Sequence, residues 1–134
     1  MSFDIFVQAF ELGSRRTFSR DAFEDTFASY IVERRDGFVR LKFDDLNYAD
    51  VYISNSNEID GFAVSRPPTD ARFWDGIVQI LHVARAVVYW PDDARNSFFV
   101  ADLSVAKELP PDMINSLGFP QVARQGSDLV SRLV

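Results

Sequence analysis

The chain has no cysteine, a single histidine (His82), two lysines and two methionines in 134 residues. Without cysteine there is neither a disulfide framework nor a thiolate metal site. One histidine rules out a metal cluster built on several histidines, and any Ser-His-Asp relay would have to run through His82. No apolar run approaches the roughly 20 residues that span a bilayer; even VARAVVYW is interrupted by Arg85. The opening MSFDIFVQAF carries Asp4 but no basic stretch and no small-residue cleavage site, so a cytoplasmic protein is expected. Internal repeats, low-complexity segments and Gly/Ser linkers are lacking too, which leaves residues 1–134 as one domain.

What is present is apolar and acidic. Apolar residues make up 47% of the chain and aromatics 14%, with thirteen phenylalanines, which implies a core of large rigid rings. Twenty acids against fourteen bases give a net charge of −6. That balance argues against sequence-independent nucleic-acid binding, which needs clustered Lys and Arg on phosphates, and favours a basic protein partner.

The chain is organised around Arg66 to Asp92, RPPTDARFWDGIVQILHVARAVVYWPD. Pro67 and Pro68 stop a strand, and Thr69 is placed to cap a helix with Asp70 at the positive end of its dipole. Phe73, Ile77, Ile80, Leu81 and Ala84 recur at helical spacing, widened by Trp74 and Val78, while Arg72, Asp75, Gln79 and His82 fall on the other side. From Ala86 the period breaks into AVVYW, a strand buried on both faces.

Before this stretch, Phe3 to Phe10 reads as an inner strand. Ser19 is expected to cap a first helix running to about Glu33, with Phe23, Phe27, Tyr30 and Ile31 as its buried stripe. Phe38 to Phe43, Ala49 to Ser54 and Ile59 to Arg66 then read as an antiparallel meander joined by Asp- and Asn-rich turns. Val39, Leu41 and Phe43 share one of its faces, opposite Arg40 and Lys42. After PDDARN, taken as a loop, SFFVAD suggests a strand, and Ser104 to Leu109, PPDMINSLG, PQVAR and Ser127 to Val134 suggest short helices with a last strand. The expected fold is α+β: a mixed, largely antiparallel sheet with a βαβ-type crossing, two main helices packed on it, and short C-terminal helices.

Candidate sites are few. His82 falls on the polar helix face near Asp75 and reads as an ordinary surface histidine. Asp44-Asp45 and Asp92-Asp93 could serve acid/base or Mg²⁺ chemistry, but neighbours in extended chain point to opposite sides, so they read as solvated turn acids. Between Asp44 and Asp60 lie Asp44, Asp45, Asp50, Glu58 and Asp60 with no Lys or Arg. This asymmetry leaves two readings open, a meander made soluble by its turns or an acidic contact surface, with Asp75, Asp92 and Asp93 as further contact candidates. Trp74 and Trp90 lie among core-type residues and read as core rather than as binding anchors.

The blocks MSFDIFVQAF, RPPTDARFWDGIVQIL, VVYWPDD and LPPDMINSLGFPQV resemble those of a bacterial family of small immunity-type proteins associated with polymorphic or contact-dependent growth inhibition toxins. The resemblance covers nearly the whole chain, and its blocks are mostly structural. It implies a non-catalytic cytoplasmic protein that neutralises a cognate toxin, with no catalytic residues, cofactor or metal. An acidic protein suits a basic, nuclease-type toxin. The alternatives are a small adaptor domain with another protein partner, and an enzyme using His82 or an Asp pair. Oligomeric state is not legible.

Overall fold

Strand β1 (Asp4–Glu11) lies inside a nine-stranded sheet, and its burial on both sides follows from its neighbours. The structure, a computed structural model, describes residues 3–91 and 97–133. In chain order the further elements are β2 (Ser14–Arg15), β3 (Phe18–Ser19), α1 (Asp21–Phe27), a 3₁₀ turn (Ala28–Tyr30), β4 (Ile31–Arg35), β5 (Phe38–Asp44), β6 (Asn47–Tyr52), β7 (Glu58–Ile59) and β8 (Gly61–Ser65). Then come α2 (Ala71–Ala84), β9 (Ala86–Tyr89), β10 (Phe98–Val100), a second 3₁₀ segment (Leu103–Glu108), α3 (Pro111–Leu117), β11 (Gln121–Val122) and α4 (Gly126–Val130).

The sheet runs β11-β10-β9-β1-β8-β6-β5-β4, with β2 hairpinned onto β1 and β3 paired separately with β7. Its ladders are antiparallel except β10–β11. Because β8 and β9 are both antiparallel to β1, they run in the same direction, and α2 joins them in a βαβ crossing with β1 in between. The expected α+β architecture and the β5-β6-β8 meander are therefore what the chain forms.

Helix α2 buries Phe73, Trp74, Ile77, Val78, Ile80, Leu81 and Ala84 against one face of the sheet. The rings there form a continuous chain. Phe27 stacks on Phe73 at 6.0 Å, Phe73 meets Trp74 edge-on at 5.0 Å, Trp74 meets Trp90 at 5.8 Å, and Trp90 stacks on Phe99 at 5.6 Å. Both tryptophans are thus core, as expected. Gly76 lets the two helices touch: a Cβ there would lie 2.6 Å from Cζ of Phe27. A second, smaller core covers the opposite face of β1, β9 and β10, where Phe10, Val87, Phe98 and Val100 pack with Val105, Leu109 and residues of α3. This explains the unbroken apolar run of β9.

Three local expectations are corrected. The first helix ends at Phe27, and Ile31–Arg35 form the edge strand β4 instead of its last turns. The reason is the Asp36-Gly37 turn, with Gly37 at φ +73°, which closes a two-residue hairpin between Arg35 and Phe38. Ser19 belongs to β3, and its hydroxyl accepts from the Asp21 N–H at 3.1 Å as a turn, while Arg20 occupies the cap position. Asp70, not Thr69, caps α2, its carboxylate accepting from the Arg72 N–H at 2.8 Å. The other end of α2 is closed by Arg16, whose guanidinium donates to the Ala84 carbonyl. The expected PDDARN loop, with Asp92 and Asp93, falls largely outside the described residues.

Candidate functional site

The period-2 pattern of β5 and β6 sends Val39, Leu41, Ala49 and Val51 into the core and turns their neighbours to the far side of the sheet. Among the described residues no helix is packed there over β4, β5, β6 and β8: the second core covers β1, β9 and β10. The open face so formed carries Glu33 and Arg35 from β4, Arg40 and Lys42 from β5, and Tyr48, Asp50 and Tyr52 from β6, with Phe38 buried among them at 7% exposure. Tyr48 and Tyr52 are 43% and 52% exposed.

Contacts within and across the strands fix these side chains. Arg40 Nε donates to Asp50 Oδ1 at 2.8 Å, and Arg35 pairs with Glu33 at 2.7 Å. The Arg35 guanidinium lies 4.3 Å from the Phe38 ring centroid, Phe38 meets Tyr52 edge-on at 5.5 Å, and the Lys42 ammonium sits 5.8 Å from the Tyr48 ring. The hydrogen bond to Asp50 holds the Arg40 guanidinium protonated even more firmly than usual.

The acids singled out from the sequence do not gather on one surface. Asp44 and Asp45 sit at the β5–β6 turn, Asp50 lies mid-strand on the open face, and Glu58 and Asp60 lie by β7, towards the opposite end of the strands. Nor is the stretch unbalanced in space. Asp44 meets Arg72 at 2.9 Å, Asp45 meets Lys42 at 3.1 Å, Asp50 meets Arg40, and Asp60 meets Arg15 at 3.4 Å. The bases come from outside the acidic run, which is why a linear reading missed them. Glu58 is exposed. Asp75 lies on α2, where its Oδ1 accepts from the Gly126 N–H at 2.7 Å and ties α4 to the helix.

His82 and Asp75 line one open cleft of about 510 Å³, with Val78 and Ala101 on its floor and Arg124 across it. They stand seven residues apart on one helix, about 10 Å along its axis, too far for a hydrogen bond between them. Among the described residues no three His, Asp or Glu groups are placed to hold a metal ion. No described helix is long and apolar enough to cross a membrane.

The tyrosines are the residues that sequence reasoning passed over. The signal was in NYADVYI, where Tyr48, Asp50 and Tyr52 alternate with Ala49, Val51 and Ile53. No family model, curated protein or solved structure matches the chain.

Proposed function

We propose that this chain is a non-catalytic, cytoplasmic immunity-type protein that neutralises a toxin by docking it on the open face of β4, β5, β6 and β8. The observation that carries the reading is that this face exposes Tyr48 and Tyr52 among arginines already held in place by Glu33 and Asp50. Tyr and Arg are the residues that dominate protein–protein hot spots, and side chains fixed before binding lose little freedom on binding. The sequence resemblance to immunity-type proteins points the same way, and the net charge of −6 suits a basic toxin. With Asp44, Asp45, Asp50 and Asp60 paired, the protein would attract such a toxin through its overall charge more than through one patch.

The test is binding of the purified chain to the product of the open reading frame immediately upstream, together with rescue of cells expressing that product. Tyr52→Ala should weaken binding by about tenfold or more, the size of a hot-spot truncation, with the fold intact. Wild-type binding that Tyr48→Ala and Tyr52→Ala both leave unchanged would move the interface elsewhere. Binding to an unrelated protein, without rescue, would favour the adaptor reading.

A further inference from the structure

The open face is four strands wide and about six residues long, roughly 20 Å by 20 Å, or about half of the 800 Å² that one partner contributes to a standard interface. Something beside it must supply the rest. At the edge of the face stands the β5–β6 turn, two residues before Tyr48, where Leu46 is 92% exposed and the Asp45 side chain 94%. Leu46 contributes almost nothing to the core, yet the turn that carries it is fixed. The Asp44 carboxylate accepts from the Leu46 N–H at 2.9 Å, from Asn47 Nδ2 at 2.9 and 3.0 Å, and from Arg72 at 2.9 Å. Arg72 in turn holds Asp70, the cap of α2, at 2.6 Å. The crown is thereby braced against the best-buried helix of the molecule.

We infer that the Asp45-Leu46 crown is an anchor that enters an apolar pocket, rimmed by Lys or Arg, on the toxin that the open face docks. This rests on the function proposed above and extends it to a second contact of different chemistry. Leu46 supplies the apolar plug, and Asp45, held by Lys42 at 3.1 Å, meets the rim. Asp44 is a positioning residue: it touches no partner but orders the turn beforehand, which lowers the cost of ordering on binding. Leu12, 84% exposed in the β1–β2 turn, is also held in place, its N–H donating to Glu108 at 3.1 Å, but it stands away from the open face. By strand register it lies at the opposite end of the sheet from the crown.

The experiment measures association and dissociation of the full chain with the purified upstream-encoded toxin. Leu46→Ala should raise Kd by about 10- to 100-fold, the equivalent of one leucine left unburied, chiefly through faster dissociation. Its urea midpoint should match wild type, because the residue is solvated already. Asp45→Asn should slow association at low salt and not at high salt. Asp44→Ala should slow association with a smaller rise in Kd. If Tyr52→Ala weakens binding but Leu46→Ala changes Kd less than twofold, the crown is not an anchor although the docking face stands. If the wild-type chain does not bind at all, both proposals fall.

Discussion

The two halves of the sheet were built by opposite rules. In β9 and β10, which are covered on both faces, Ala86, Val87, Val88, Phe98, Phe99 and Val100 are all buried, and no alternation survives. In β5 and β6, covered on one face, Arg40, Lys42, Tyr48, Asp50 and Tyr52 alternate with core residues, and cross-strand pairs hold them. The pattern of a strand therefore reports how many of its faces are covered, and a period of two in the middle of a sheet marks one face left to solvent. What that surface meets is decided by which side chains occupy it.

The largest expected effect sharpens this contrast. Trp74 is fully buried, touches Phe73 and Trp90, and donates its indole N–H to the Pro68 carbonyl at 2.6 Å. Trp74→Ala should lose about 3–5 kcal/mol, whereas Tyr52→Ala on the open face should lose less than about 1 kcal/mol. Urea unfolding of both variants measures the difference. Equal losses would mean that the open face is a core in its own right and not a docking surface.

A step smaller is Gly76→Ala. The added methyl would press on the Phe27 ring, itself buried and stacked on Phe73, so it has no free direction to move. The expected loss is about 1–3 kcal/mol, despite the better helix propensity of alanine. A stabilised variant would show that α1 can back away from α2, which its short length and the 3₁₀ turn after it argue against.

Next comes Asp70→Ala, which removes the α2 cap and should cost about 1 kcal/mol at neutral pH. Hydrogen bonds from the Arg72 side chain hold this carboxyl below the usual aspartate range, and Arg34 does the same for Glu24. A depressed folded pKa contributes stability that is complete above the unfolded value, about 3.9 for Asp and 4.3 for Glu, and is lost as pH falls through the folded value. Wild-type stability should thus decline on acidification below about pH 4.5, and the Asp70→Ala curve should decline less. Parallel curves for the two would show that Asp70 titrates normally.

How much of this was legible follows from the range of the forces involved. The α2 stripe, the meander and the double burial of β9 are written in local periodicity, so residues such as Ile77, Leu41 and Val88 announced their places. The β4 strand was missed because Phe23, Phe27, Tyr30 and Ile31 keep helical spacing, and the Asp36-Gly37 hairpin signal was read only as a helix stop. The pairing of Asp44 with Arg72 and Asp60 with Arg15 spans 28 and 45 positions and has no local trace. Asp45 and Asp50 pair with Lys42 and Arg40 of the neighbouring strand, just outside the window in which the acids were counted. The open face was half legible: Arg40 and Lys42 were placed on a solvated side, but the tyrosines of β6 were not joined to them.

The smallest effect expected is that of His82→Ala, and it bears on the enzyme alternative. His82 is exposed on α2 at the rim of the cleft that also holds Asp75 and Arg124. The Asp75 carboxylate accepts from the Gly126 N–H at 2.7 Å, and its seven-residue separation along the helix keeps it out of hydrogen-bond reach of the histidine. Replacing His82 removes an exposed side chain from the rim of the cleft, and the urea midpoint should shift by no more than about 0.5 kcal/mol equivalent. Toxin binding should be unchanged as well, since His82 lies on the helix that covers the far side of the sheet from Tyr48 and Tyr52. A loss above about 1.5 kcal/mol would show that the histidine is a structural contact. Abolished rescue with unchanged stability and unchanged binding would instead place chemistry in the cleft, and the comparison between a covered half and an open half would no longer locate the function.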